Sequence, residues 1–513
     1  MESTDESLKF ITKSAGIVFV GLFISKLLSY VYRIIIARIG TEQYGLLSLG
    51  IAIFGLFSTI CLLGLNQGVL RYIAFYRGKE QLSKIKHILI STFKITIPLS
   101  LIISVFLFIF SDWISITFFD NPSLSIIIKI ISLAIPFNVF REILLYTLRA
   151  FKKIQYEVYS KNIVENLIKI IFTLVFIILG LSLIGAIISY TVAIICSAVL
   201  TYYFLEKKVF SIFKNKSGKY FSNKELLIYS LPLLFSDFIF SIISWIGTLM
   251  IGYFLPESEV GIYNAAQPTA FLMFMIPYAL LTLFVPILTE LYAQNKNEDF
   301  KIVYRTTTKW IFIINLILLS MFYLFPKSIL GILFGQNYIA GATSLLILGI
   351  GYFIGHLTSS SQCVLLVLKK TKLIFFNTIL MAVGNIILNI YLIPIYGIIG
   401  AAIATAFVFI LRGILVVIES YLINNIIPFK LNYIKIFFSI LIASLLVKYL
   451  SKFYPINIFT LAINSILLVG FYLLLLIITK SFEKEDIMII KTIQQRTGID
   501  FSKINNFLGK FAR

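Results

Sequence analysis

Apolar runs of about 18–28 residues, long enough to cross a hydrocarbon core as helices, recur along the whole chain with short polar gaps between them. Windows place them near 15–37, 45–70, 88–110, 124–148, 159–180, 183–205, 226–251 and 261–291, then near 309–330, 341–368, 373–393, 397–423, 433–450 and 457–479. This pattern predicts an all-α integral membrane protein with about 14 transmembrane helices.

The gaps check the count independently. Those after even-numbered runs are basic: Arg71, Arg77, Lys79, Lys84 and Lys86; Arg149, Lys152 and Lys153; Lys207 through Lys224; Lys296, Lys301, Arg305 and Lys309; Lys369, Lys370 and Lys372; Lys430. Gaps after odd-numbered runs are nearly free of Lys and Arg, with Arg38, Lys327 and Lys452 as the exceptions. The positive-inside rule then puts both termini in the cytoplasm of a multi-pass protein of the cell membrane.

The polar turns also repeat. The hairpin around Gly45 returns around Gly261 (261−45 = 216), Gly185-Ala186 answers Gly400-Ala401 (400−185 = 215), and Lys152-Lys153 answers Lys369-Lys370 (369−152 = 217). A period of six helices keeps both copies in one orientation, giving two six-helix lobes related by a parallel repeat plus two C-terminal helices. The expected division is 1–205 for the first lobe, 206–225 for a basic cytoplasmic linker and 226–424 for the second lobe. Helices 13 and 14 follow over 425–480, and 481–513 is an amphipathic cytoplasmic tail with Phe501, Ile504, Leu508 and Phe511 on one face. Pro268, Pro277 and Pro286 mark the eighth helix as a bending element.

Composition agrees: 59% of the 513 residues are hydrophobic and 13% charged, outside the range of soluble domains. The net charge of +21 does not point to nucleic acid, because the basic residues lie in scattered short gaps rather than on one face. Cys61, Cys196 and Cys363 lie far apart in apolar runs and form neither a disulfide framework nor a metal site. No Gly-x-x-x-x-Gly-Lys loop is present, which argues against ATP hydrolysis in this chain; no cofactor is expected.

The candidate chemistry lies in charges within the apolar runs. Lys26, Lys94, Arg141, Lys169 and Arg412, if all faced lipid, would cost on the order of 15 kcal/mol, so they face partners or water. Alternatives stand beside a binding role. Arg33 and Lys94 reach an interface by snorkelling, Lys169 neutralises Glu165 one turn away, Arg141 beside Glu142 forms half of an interhelical pair, and Arg412 pairs with Asp237. His356 is an interior hydrogen-bonded histidine or a proton relay. The excess of cations over acids in the first half predicts a cationic central cavity for an anionic cargo, with Lys26, Arg33, Arg141, Lys169 and Arg412 as its cations. Asp237 and Glu142 are the candidates for ion coupling.

The Ala37-Arg38-x-x-Gly40-x-x-x-Tyr44-Gly45-Leu46 hairpin, Gly64-Leu65, Arg71-Tyr72 and the fourteen-run plan resemble the polysaccharide-transporter branch of the multidrug/oligosaccharidyl-lipid/polysaccharide flippase superfamily. The resemblance extends to about residue 480. It implies a non-enzymatic flippase that moves a lipid-linked oligosaccharide of the polyprenyl-diphosphate type to the outer leaflet by alternating access, with membrane lipids and glycan-assembly enzymes as partners. The rival within the same architecture is a proton- or sodium-coupled multidrug exporter, with Asp237 as its coupling acid. A membrane glycan polymerase is disfavoured because the outer gaps are too short to build an external site.

Overall fold

The computed structural model describes residues 21, 23–212, 223–483, 485 and 486. The polar start 1–14, the basic run 214–219 of the expected linker and the amphipathic face of Phe501, Ile504, Leu508 and Phe511 lie outside the described residues. Every regular element among the described residues is helical. The chain gathers into two compact units, Met1–Gly261 and Ile262–Arg513, a partition by packing that is distinct from the sequence repeat.

In the first unit α1 covers 23–37. It is followed by α2 (Thr41–Leu62), α3 (Leu65–Gly78), α4 (Leu82–Ile109), α5 (Ser111–Phe119), α6 (Ser123–Ser132), α7 (Ala134–Ala150) and α8 (Gln155–Glu157). A π-helical turn over Val158–Val164 leads into α9 (Glu165–Ile178), α10 (Ser182–Phe204) and α11 (Asn223–Phe254). The second predicted helix is divided: Leu63 and Gly64 are both left-handed, with φ of 48° and 68°. Glycine is needed at 64 for a second reason, since a Cβ there would overlap the Ser230 carbonyl oxygen of α11. The fourth predicted helix is divided at Leu133, between α6 and α7. Pro136 has no N–H for the Ser132 carbonyl, and the Ser104 hydroxyl of α4 donates to that oxygen at 2.7 Å instead.

Helix α12 (Glu257–Phe271) starts in the first unit and ends in the second, which continues with a 3₁₀ turn over Leu272–Phe274, α13 (Met275–Ala293), α14 (Asn297–Leu324), α15 (Pro326–Leu333) and a 3₁₀ stretch Gln336–Gly341. Then come α16 (Ala342–Leu357), α17 (Ser359–Val367), α18 (Thr371–Tyr396), α19 (Ile398–Asn424), α20 (Asn432–Leu450) and α21 (Ile458–Ile478). The predicted eighth helix is thus interrupted at Leu272–Phe274, between Pro268 and Pro277.

Among the described residues eleven helical stretches are long and apolar enough to cross a membrane, against fourteen expected. The other three expected segments have visible reasons for missing the criterion. The start of α1 lies outside the described residues, the fifth segment carries Lys161, Glu165 and Lys169 within one 18-residue window, and of the eighth Phe284–Ala293 counts as a shorter apolar helix.

The duplication is written in the backbone. Lys152 and Lys369, matched by sequence, both take the left-handed conformation, with φ of 59° and 58°. The amides that follow them bond back five residues alike, Lys153 to Leu148 at 2.9 Å and Lys370 to Leu365 at 2.8 Å. Glu80 and Asn295 (φ 57° and 56°; 295−80 = 215) repeat the same ending, and Gly180 and Gly397 (397−180 = 217) share a positive φ but not the ending, since Gly397 has ψ of −139°. A left-handed lysine costs roughly 1 kcal/mol, so its recurrence at one offset reflects a shared turn design. Gly45 and Gly261 show why that pair recurs. A Cβ on Gly45 would overlap the Glu257 carbonyl oxygen and one on Gly261 the Thr41 carbonyl oxygen, so the starts of α2 and α12 cross backbone to backbone.

After α21 the chain folds over α14. Lys309, buried, pairs with Asp486 Oδ2 at 2.6 Å, and the Trp310 indole N–H donates to Asp486 Oδ1 at 3.0 Å. Lys430 pairs with Glu483 at 3.0 Å and the Asn432 amide donates to the Ser481 carbonyl at 2.8 Å. The strap 481–486 therefore ties the two C-terminal helices to α14.

Candidate functional site

The charged interior of the first unit is built on α1, α7, the π-helical turn and α9. Arg141 of α7 is 4% exposed and donates through Nη2 to Glu142 Oε1 at 3.2 Å and to Asn138 Oδ1 at 2.6 Å, and through Nη1 to Glu165 Oε2 of α9. Glu165 also receives Lys169 Nζ at 2.6 Å, and Glu142 receives Lys161 Nζ at 2.6 Å. The result is a row of alternating sign, Lys161, Glu142, Arg141, Glu165, Lys169. Burial of such charges is tolerable only because each has an opposite neighbour.

Helix α1 is stitched beside this row. The Asn166 amide reaches Ser25 Oγ at 3.4 Å and the Tyr32 hydroxyl donates to the Ala186 carbonyl at 3.3 Å. Arg33 is half-buried and donates to the Tyr44 hydroxyl at 3.3 Å. Lys26 is exposed, makes no ion pair among the described residues, and lies within electrostatic reach of Arg33 and Lys161. Lys169 stacks its ammonium over Tyr190 at 4.2 Å from the ring centre. With Arg149 of α7 set aside because Glu157 answers its charge, these elements carry five cations (Lys26, Arg33, Arg141, Lys161, Lys169) and two carboxylates (Glu142, Glu165), a surplus of 5−2 = +3. A separate fork joins Arg149 to Glu157 at 2.7 and 2.5 Å.

Asp237, half-buried on α11, accepts a hydrogen bond from Asn66 and forms no ion pair among the described residues. In the second unit Arg412 of α19 donates to the Gln362 side chain and is half-buried. His356 is buried among Phe271, Phe274, Tyr352 and Phe409, with ring centres 5.0–5.9 Å away, and its Nε2 has no partner among the described residues.

Of the expected site residues, Lys26, Arg33, Arg141, Glu142 and Lys169 are gathered in one unit, and Asp237 lies on α11 of that unit. Arg412 belongs to the second unit. Reading the sequence undercounted the acids: Arg141 is held by two carboxylates, its neighbour Glu142 and, as the interhelical pair weighed above, Glu165, and the Glu165–Lys169 neutralisation is also present. It also missed Lys161, whose side chain is 33% exposed at the open end of the row. The signal was there in Glu157, Lys161, Glu165 and Lys169, an acid–base alternation every four residues. Among the described residues no group of acids, histidines and cysteines could hold a metal ion.

Comparison with known proteins shows the family and the fold. The family described as "Polysaccharide biosynthesis protein" matches residues 11–292, more than half of the chain, and the MatE family matches residues 232–391. An uncharacterized membrane protein of Methanocaldococcus jannaschii is 26% identical over 75% of this chain and 79% of its own length. A Shigella flexneri protein named as an O-antigen transporter is 23% identical over 74% of this chain and 89% of its own. The solved lipid II flippase MurJ, in an inward closed conformation, shares the fold with a TM-score of 0.70 at 18% identity, over 90% of this chain and 98% of the other. The chain belongs to the polysaccharide biosynthesis protein family, and its fold is that of the solved flippase.

Proposed function

We propose that the protein carries a lipid-linked oligosaccharide of the polyprenyl-diphosphate type from the cytoplasmic to the outer leaflet by alternating access, with both termini in the cytoplasm. The observation that carries this reading is the +3 surplus on α1, α7, the π-helical turn and α9. Lys26 and Lys161 are its accessible members, and they are the residues assigned to the diphosphate. Arg33 and Lys169 contribute field from behind; Arg141, held through both terminal nitrogens by Glu142, Glu165 and Asn138, is a positioning residue. Arg412 is assigned a second anion contact, since its one hydrogen-bond partner among the described residues, Gln362, is neutral. The lobes of the repeat, 1–205 and 226–424, the linker 206–225, the helices of 425–480 and the tail 481–513 are the proposed working parts. The names of relatives, a glycan biosynthesis flippase of Haloferax volcanii among them, support a glycan cargo and association with glycan-assembly enzymes.

The test is flipping of a short lipid-linked oligosaccharide in reconstituted vesicles, read by protection from an external glycosidase. Lys26→Ala and Lys161→Ala each lower the rate about tenfold, the scale of one charge-assisted contact, and Lys26→Arg retains most of it. Undiminished flipping in both alanine variants overturns the reading. A second reading, a proton- or sodium-coupled multidrug exporter, is favoured by one observation, the half-buried Asp237 without a cationic partner among the described residues. Drug resistance on expression that Asp237→Asn abolishes would establish it in place of the first.

A further inference from the structure

A second polar site lies in the second unit, apart from the charges assigned to the cargo. At the start of α14 a hollow of about 210 Å³ is lined by Glu298, Lys301, Arg305, Lys430 and Glu485 among others. Glu298, Lys301 and Arg305 follow one another at three and four residues, so they share one face of the helix. Arg305 stands four residues, roughly 6 Å along the axis, before Lys309, after which α14 runs without a charged residue to its end at Leu324. That is the level of lipid headgroups on the side assigned above to the cytoplasm.

The bonding leaves both signs of charge available. Arg305 is oriented by its Nε, which donates to the Ile427 carbonyl at 2.9 Å; its two terminal nitrogens make no hydrogen bond among the described residues. Lys301 meets Glu298 only at 3.5 Å, at a largely exposed carboxylate, a contact of little strength. Lys430 shares itself with Glu483 at 3.0 Å. Glu485 faces the hollow with no ion pair among the described residues. Three cations and two carboxylates around one small space complement a ligand that itself carries a phosphate and an ammonium group.

We propose that this hollow seats the headgroup of an aminophospholipid: the phosphate lies on the Arg305 fork between Lys301 and Lys430, and the ammonium on Glu485 and Glu298. A purely anionic headgroup leaves the two carboxylates repelling it, and a free phosphate leaves Glu485 without a partner. A choline headgroup carries the same two charges but has no N–H to donate. The site is independent of the cargo reading, which rests on the first unit and on Arg412, a residue that does not line this hollow.

The experiment is native mass spectrometry of the full chain in detergent, titrated with phosphatidylethanolamine, phosphatidylcholine and phosphatidylglycerol of equal acyl chains. Phosphatidylethanolamine binds about tenfold more tightly than phosphatidylcholine, the worth of one charge-assisted hydrogen bond. Arg305→Ala abolishes that binding, and Glu485→Gln brings phosphatidylethanolamine down to the phosphatidylcholine level without weakening phosphatidylglycerol. The lipid-free unfolding temperature of each variant is measured alongside; where Arg305→Ala lowers it, Glu485→Gln and Lys301→Ala decide. Equal binding of phosphatidylethanolamine and phosphatidylcholine, tighter binding of phosphatidylglycerol, or complete displacement by millimolar inorganic phosphate each overturn the proposal.

Discussion

A guanidinium inside an apolar bundle is either a binding group or a structural one, and Arg141 is distinguished by what holds it. With two carboxylates and Asn138 around it, its removal leaves Glu142 and Glu165 facing each other without the charge between them. Arg141→Ala therefore costs about 3–5 kcal/mol, read as a lower unfolding temperature and poor yield in detergent. Arg141→Met combined with Glu165→Gln removes one charge of each sign, keeps an acceptor for Lys169, and recovers more than half of that loss. A double-mutant cycle on unfolding measures the coupling, and cargo movement that survives in the double variant marks Arg141 as a positioning residue. The residue types of this row were legible in the sequence; their pairing was not. Lys161 was passed over within the fifth run, because a straight helix gives no hint of the π-helical turn at Val158–Val164 that carries it. Cation counting finds charges in a bundle but cannot say which acid on a neighbouring helix reaches them.

Elements were legible where hydrophobicity alone defines them and illegible where a backbone group is satisfied from elsewhere. The break between α6 and α7 depends on a serine 28 positions away supplying the hydrogen bond that Pro136 cannot. The turns of the repeat were found through Lys152 and Lys369, and the structure explains the residues by their left-handed φ; Glu80 and Asn295 share that conformation without sharing a residue type, so no sequence pattern exposed them. The strap 481–486 was read as the beginning of a tail, yet it is the most heavily bonded segment of the C-terminal part. Burial works against the Glu483 carboxylate, but Lys309 and Lys430 outweigh it and hold its pKa below the usual carboxylate range. A depressed folded pKa means that the unfolded chain binds the proton more readily. The stabilisation is complete above the ordinary glutamate range and is lost as pH falls through the lower folded value. Hydrogen exchange over 480–486 should accordingly accelerate on acidification below that ordinary range, and Glu483→Gln should show the faster exchange already at neutral pH. Unchanged protection in that variant would mean that Asp486 and Asn432 hold the strap alone.

For the molecule as a whole, the basic and acidic turns make a claim about sidedness that the helix count sharpens. Fourteen spans put three crossings between Gln81 and Leu181 and three more between Leu181 and Lys296. The eleven stretches that meet the length and composition criterion put two and two there, because the fifth and eighth segments drop out. The parity at Leu181 therefore separates the two counts. With Cys61, Cys196 and Cys363 replaced by alanine, single cysteines at Gln81, Leu181, Lys296, Lys370 and Tyr396 are offered a membrane-impermeant maleimide on intact cells. Fourteen spans with cytoplasmic termini predict labelling of Leu181→Cys and Tyr396→Cys from outside, and of Gln81→Cys, Lys296→Cys and Lys370→Cys only after permeabilisation. If Leu181→Cys instead behaves like Gln81→Cys and Lys296→Cys, the fifth segment does not cross. Lys161, Glu165 and Lys169 would then lie along one surface of the bilayer rather than through its depth. The charge surplus would lose its access to both leaflets, and with it the physical reason for an anionic headgroup to travel past these residues.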